Sequence, residues 1–202
     1  HATPLAHRPT WLRSDFLPFY RTKNLGACGD GGMVLTDRQA FAERVAKLRH
    51  HGDSGRYQHE ELGFCSRLDE MQAGVLRVKL ARLPAWAQAR RKIAERYRTL
   101  LEGASLTLPT EAAKARHVFH LFTVRHPHRD ALAKALADEG VATGVYYPCP
   151  VPAQPVFGLD DRRWPEAARA AREVLSLPCF AELSDDEVEQ TASAVRKACE
   201  GI

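Results

Sequence analysis

Tyr20-Arg21-Thr22-Lys23-Asn24-Leu25-Gly26-Ala27-Cys28-Gly29-Asp30-Gly31-Gly32 is the most informative stretch of this 202-residue chain. A lysine stands in a short polar run and leads into a glycine-rich segment, and Met33-Val34-Leu35 follows as a short strand. Glycine lets a backbone turn tightly and approach other groups closely. A lysine held on such a loop beside small residues can be desolvated, which lowers its pKa and makes its amine nucleophilic. Schiff-base chemistry with a carbonyl or with pyridoxal phosphate requires such an amine. The same residues also read as a plain glycine turn that enters a strand and leaves an exposed lysine. Nucleotide-phosphate cradles lose ground, because no Gly-Lys-Ser/Thr closes the run and no GxGxxG turn opens it.

On the carboxyl side, Asp37 is placed to cap a helix in which Phe41, Val45 and Leu48 share one face and which Gly52 stops. A polar loop over 53–63 separates it from a second helix. Ser66-Arg67-Leu68-Asp69 fits a capping box for that helix, and Pro84 closes it. Its apolar residues form two stripes, Leu68/Met71/Val75/Val78 and Leu76/Leu80/Leu83. A helix apolar on two sides is expected to be buried on both, between a core and a partner element or subunit. Pro84 also opens a third helix, with Trp86, Ile93, Tyr97 and Leu100 near the helical period. Its Arg90, Arg91, Lys92, Arg96 and Arg98 read as a solvated face. On the amino side, residues 1–18, with prolines at 4, 9 and 18, read as irregular.

Beyond Gly103 strands and helices alternate. Residues 106–108, 118–124 and 141–147 read as strands, and 130–139 as a helix stopped by Gly140. A proline-rich loop over 148–155 precedes helices near 165–174 and 184–199, the last with Ser184 and Glu187 as its capping box. The pattern predicts an α/β fold, with a domain boundary near Pro84 and a compact α/β sandwich after it.

Composition sets the outer limits. The chain is 45% hydrophobic and 27% charged, which is the make-up of a globular protein rather than a disordered or fibrous one. A net charge of +4 is too small to point to nucleic acid, and no apolar run is long enough to span a membrane. Cys28, Cys65, Cys149, Cys179 and Cys199 are widely spaced and form no CxxC pair, so a disulfide framework or zinc site is not expected. A reducing, cytoplasmic setting follows as the simpler expectation. His50, His51, His59, His117 and His120 lack a converging third ligand, and no metal is expected. No GxSxG anchors a serine triad. Residue 1 is histidine rather than methionine, which raises the expectation of a chain that begins late.

Several motifs in order resemble the DegT/DnrJ/StrS family of sugar aminotransferases, pyridoxal-phosphate enzymes of fold type I. They are FYRTKNLGACGDGGMVLT (19–36), LRHHG (48–52), SRLDEMQAGVLRVKL (66–80), HVFHLFTVRHPHRDAL (117–132), GVYYPCPVPAQPVF (144–157) and EVLSLPCFAELSDDEVE (173–189). The resemblance implies the C-terminal portion of that fold: 1–84 as the rear part of the large cofactor domain and 85–202 as the small α/β domain. It implies a homodimer using pyridoxal 5'-phosphate. The amino group would pass from an amino acid such as glutamate to a nucleotide-linked keto sugar, in polysaccharide or antibiotic sugar biosynthesis.

By position in the family motif, Lys23 is the catalytic lysine that bonds to the cofactor. Asn24 and Arg67 match cofactor-binding positions, and Tyr147 and Gln154 match substrate-binding ones. Three positions depart from the family pattern. Pro18 stands for a serine and Cys65 for an asparagine, both phosphate contacts in the family, and Pro152 stands for a histidine near the substrate. Each removes a hydrogen-bonding group worth about 1 kcal/mol or more. The family's remaining cofactor contacts lie mainly before the lysine, and residues 1–15 match none of them. The resemblance therefore carries two expectations: an aminotransferase present as a truncated chain, or an inactive, interaction-only remnant of the same family.

Overall fold

The computed structural model describes residues 14–202, apart from the side chain of Asp161. Two compact units divide the chain, His1–Trp86 and Ala87–Ile202. Residues 1–13, most of the segment read as irregular, lie outside the described residues.

In the first unit, strand β1 (Ser14–Pro18) pairs antiparallel with β2 (Gly32–Thr36), from Ser14 opposite Thr36 to Pro18 opposite Gly32. Residues 14–18 are thus a strand rather than irregular chain. Proline is tolerated there because it is the last residue of a two-stranded ribbon, where no further partner needs its missing N–H. Helix α1 (Gln39–Leu48) follows, but Asp37 does not cap it. Instead the Arg38 N–H donates to Thr36 Oγ1 at 3.2 Å. The helix ends at Leu48, with Arg49 as its C-cap, ahead of the expected stop at Gly52, whose φ is +72° and where a Cβ would stand 1.8 Å from the Glu61 carbonyl oxygen. Only glycine fits.

The expected capping box at Ser66 does not form. Helix α2 (Glu70–Leu80) starts four residues later, after Asp69, which makes no side-chain cap. The reason is competition for the backbone. Phe64 N–H donates to Leu48 O at 2.7 Å, Ser66 N–H donates to Arg49 O at 2.9 Å, and Arg49 Nε donates back to Ser66 O at 3.2 Å. Residues 64–66 are therefore held extended against the end of α1. Of the two apolar stripes on α2, Leu76 is buried and Leu68 packs beside it, whereas Met71 is 85% exposed and Val78 66% exposed.

Helix α3 (Leu83–Leu100) leads into the second unit. Strand β3 (Phe122–Arg125), helix α4 (Arg129–Asp138), helix α5 (Pro165–Glu173), strand β4 (Val174–Leu177) and helix α6 (Asp185–Glu200) complete it. Strands β3 and β4 pair antiparallel, with Phe122 opposite Leu177 and Arg125 opposite Val174. The result is mixed α/β, as expected. Phe122, Val124, Leu132, Leu136, Leu175, Val188 and Val195 are fully buried in one core with Ile93 and Tyr97 of α3. The Tyr97 ring lies 5.0 Å from that of Phe122, and its hydroxyl donates to Pro178 O at 3.0 Å.

Other boundaries moved. Strand β3 begins at Phe122 rather than 118, because Phe119 takes φ +41°, which no strand accommodates. Residues 106–108 and 141–147 contribute only isolated bridges, Thr107 to Arg125 and Gly144 to Ser176. Strand β4 was not expected; its Val-Leu-Ser-Leu run continues straight out of α5. The capping box of α6 forms, with Glu187 N–H donating to Ser184 Oγ at 3.3 Å and Ser184 N–H donating to Glu187 Oε2 at 2.8 Å.

The arginines of α3 are not a plain solvated face. Arg91 makes a two-pronged pair with Glu111 at 2.6 and 3.2 Å and donates to His117 O at 2.8 Å. Arg90 donates to the carbonyls of Phe119, His120 and Cys179. Arg98 donates to Pro109 O at 3.0 Å and lies over the Phe119 ring. These cations staple the 109–120 segment to the helix.

That staple carries a pH dependence. The Arg91 guanidinium, and then the His117 N–H, hold the Glu111 carboxyl down at about 2, against an ordinary value of 4.5. Burial pushes the His117 imidazole down, consistent with its Nδ1 accepting from Phe119 N–H at 2.9 Å. Both folded values lie below the unfolded ones, so both groups stabilise at neutral pH. The His117 share is lost as pH falls below 6.5, and the Glu111 share as it falls from 4.5 towards 2. Glu111→Gln should flatten the second phase of an acid-unfolding curve followed by near-ultraviolet circular dichroism. An unchanged curve would remove Glu111 from the account.

Candidate functional site

The loop over 19–31 joins β1 to β2 and carries Lys23. Its neck is closed by two backbone bonds of 2.8 Å, Phe19 N–H to Gly31 O and Ala27 N–H to Phe19 O. A turn inside it is closed by Lys23 N–H donating to Tyr20 O at 2.8 Å. Where the chain returns, Gly26 lies against Arg21: a Cβ on Gly26 would be 2.4 Å from the Arg21 carbonyl oxygen. The lysine therefore sits in a short excursion whose two ends touch through bare backbone. Gly26→Ala should force this contact apart, speed hydrogen exchange at the Lys23 amide at least tenfold (about 1.4 kcal/mol) and leave the second unit's thermal transition in place. Unchanged exchange would contradict the tight geometry.

Beneath the loop, Phe19, Ala27 and Leu76 form a small core with Leu17, Leu25 and Leu68 around it. Helix α2 reaches the loop with two polar side chains as well. Gln72 Oε1 accepts from Cys28 N–H at 2.8 Å, and Lys79 Nζ donates to Gly26 O. Sequence reasoning missed both residues. The signal was available in the spacing of 72, 76 and 79, which lie on one helical face.

Lys23 and Asn24 are both half-buried on this loop. Arg67 is exposed on the extended segment before α2, next to Leu68, whose side chain joins the small core under the loop. Lys23, Asn24 and the segment bearing Arg67 thus belong to one neighbourhood of the first unit. Tyr147 and Gln154 belong to the second unit and share its proline-rich loop. Tyr147 is 68% exposed, with its ring edge-on to that of Tyr146 at 5.7 Å. Gln154 is half-buried, and its carbonyl accepts from Phe157 N–H at 2.9 Å and Gly158 N–H at 3.0 Å, which folds the loop back on itself.

The departing positions have structural places too. Pro18 ends β1, Cys65 is exposed and bridged to His50, and Pro152 lies in a 3-10 turn, Val151–Ala153. Among the described residues no group of His, Cys, Asp and Glu could hold a metal ion. No helix among them is long and apolar enough to cross a membrane. Lys23, Asn24 and Arg67 offer a primary amine, an amide and a guanidinium. A carbonyl compound bearing a phosphate suits those groups: the amine could add to the carbonyl, and the other two could donate to the anion. Pyridoxal phosphate fits on these grounds.

Comparison with known proteins gives a consistent picture. The profile of the DegT/DnrJ/EryC1/StrS aminotransferase family matches residues 14–196. A pleiotropic regulatory protein of Geobacillus stearothermophilus is 45% identical over 183 residues, covering 88% of this chain and 49% of that protein. A UDP-N-acetyl-3-dehydro-α-D-glucosamine 3-aminotransferase of Acidithiobacillus ferrooxidans is 42% identical over 184 residues, covering 91% and 50%. Among solved structures, S. venezuelae DesV in complex with a ketimine intermediate is 40% identical with a TM-score of 0.88, covering 93% of this chain and 52% of that one. The chain spans about half the length of the curated relatives it matches.

Proposed function

Because the chain belongs to the DegT/DnrJ/EryC1/StrS aminotransferase family, we propose that it carries the cofactor lysine of a pyridoxal-phosphate-dependent aminotransferase acting on nucleotide-linked keto sugars. Lys23 supports this reading most directly: a half-buried amine on a loop closed by Phe19, Gly31 and Ala27 and underpinned by α2. In this assignment the first unit is the rear of the cofactor domain, the second is the small domain, and the working state is a homodimer. The amino donor is an amino acid such as glutamate, and the acceptor class follows the substrate in the name of the Acidithiobacillus relative.

When bound, the cofactor supplies an electron sink beside the carbon whose amino group is exchanged. The chain's residues do the rest. The Lys23 amine holds the cofactor; once released by the donor, it takes the proton from the donor's Cα. A single amine can do both only if it can shed its own proton near neutral pH. Asn24 and Arg67 donate to the cofactor's anionic group, where a guanidinium makes a strong, directional contact. Tyr147 and Gln154 orient the sugar through hydroxyl and amide contacts. Pro18 and Cys65 contribute no side-chain hydrogen bond of the kind the family pattern supplies, so phosphate binding leans more heavily on Asn24 and Arg67.

Titration of the protein with pyridoxal phosphate tests the proposal. Visible absorbance of lysine-bound cofactor should appear and be discharged by L-glutamate. Absorbance that never forms, or that glutamate leaves untouched, would contradict it and favour a catalytically inactive member of the family.

A further inference from the structure

We propose that Gln72 and Lys79 of α2 are positioning residues that set where the Lys23 amine stands, by gripping the returning limb of its loop. The proposal rests on the reading of Lys23 as the cofactor lysine.

Three successive positions on one face of α2 meet three successive features of the loop. Lys79 Nζ donates to the carbonyl of Gly26, Leu76 packs against Ala27 and Phe19, and Gln72 Oε1 accepts from the N–H of Cys28. Residues 26, 27 and 28 are thus fixed by a cation, an apolar side chain and an amide. Lys79 is itself steadied: its ammonium lies 6.0 Å from the centroid of the Trp86 ring, and its stem is half-buried.

The grip reaches Lys23 through the backbone. Gly26 lies against Arg21, so the two ends of the 21–26 excursion move together. Within that excursion the Lys23 N–H is tied to Tyr20. Holding Gly26 therefore holds the frame from which the Lys23 side chain extends. A charge-assisted bond to a half-buried carbonyl is among the stronger local restraints available. Reaction geometry is sensitive to this kind of restraint, because a misplacement of about 1 Å can cost roughly a hundredfold in rate.

Three variants separate positioning from bulk stability. Lys79→Met keeps the stem and loses the donor, Lys79→Arg keeps a donor, and Gln72→Leu removes the other grip while leaving Lys79. Two readouts need no cofactor: hydrogen exchange at the Ala27 and Cys28 amides, and competitive acetylation of Lys23 by acetic anhydride as a function of pH. In Lys79→Met both amides should exchange about tenfold faster. The acetylation profile of Lys23 should shift, and its affinity for pyridoxal phosphate should fall about tenfold. Lys79→Arg should restore all three to within about twofold, and Gln72→Leu should reproduce the Cys28 exchange effect.

Unchanged exchange in both Lys79→Met and Gln72→Leu overturns the proposal. Faster exchange with an unaltered Lys23 acetylation profile also overturns it, because α2 would then only stabilise the loop. The reading of Lys23 as cofactor lysine fails by a different result, cofactor attached elsewhere in the native sequence, and that result leaves the exchange and acetylation data intact.

Discussion

Under the proposed assignment, Lys23→Ala is expected to lower amino transfer by about 10^4-fold or more, because one substitution would remove both the cofactor's covalent anchor and the base at the donor's Cα. Lys23→Arg should fail almost as completely. A guanidinium stays protonated, so it can neither add to a carbonyl nor accept the proton. Thermal unfolding should barely move in either variant. The backbone bond from residue 23 to Tyr20 O survives, and the small core of Phe19, Ala27 and Leu76 is untouched. Steady-state transfer from L-glutamate to a nucleotide-linked keto sugar, with a melting curve alongside, checks both halves. Transfer retained by Lys23→Arg would exclude Lys23 as the working amine.

Phe122→Ala carries the largest expected cost to folding. The ring is fully buried at the start of β3, 5.0 Å from Tyr97 and 6.3 Å from Phe119. Removing it should cost about 3–5 kcal/mol, through lost burial plus a cavity that α3, α6 and the β3–β4 ribbon fill only in part. Met71→Ala is the matched control. At 85% exposure it should lie within about 0.5 kcal/mol of the parent. Urea unfolding followed by far-ultraviolet circular dichroism measures both. A loss below about 1 kcal/mol for Phe122→Ala would mean that this core is not what holds the second unit together.

Local signals in the sequence were read well where local chemistry decides the outcome. Ser184 and Glu187 cap α6 because each satisfies the other's backbone N–H within one turn, with no help from distant chain. Gly140 ends α4 and Gly52 ends the turn after α1 because both take positive φ. Ser66 shows the opposite case. Its side chain suits a cap, yet its backbone is claimed by Arg49 from another element, and the helix starts later. Strand β1 was hidden for a similar reason, since its partner lies across the whole lysine loop. Arg90, Arg91 and Arg98 look solvated in a helical pattern and become staples only because 109–120 folds back over them.

At the candidate site the division is similar. Lys23 and its glycines stood out in the sequence, but the same residues also suit a plain turn into a strand, and the role given to Lys23 came from its position in the family motif. Gln72 and Lys79 did not stand out, because a glutamine and a lysine on a helix usually face water. Their role depends on where the loop over 19–31 comes to lie, which is a tertiary fact. Asn24, Arg67, Tyr147 and Gln154 entered by position in the family motif rather than by any pattern of their own.

The most direct test of the account is chemical trapping. The protein is incubated with pyridoxal phosphate at low stoichiometry, reduced with borohydride, digested, and the modified lysine is mapped by mass spectrometry. The account predicts that the adduct lies on Lys23 ahead of Lys47, Lys79, Lys92, Lys114, Lys134 and Lys197. An adduct spread among the other lysines, with Lys23 modified no faster than they are, would contradict it.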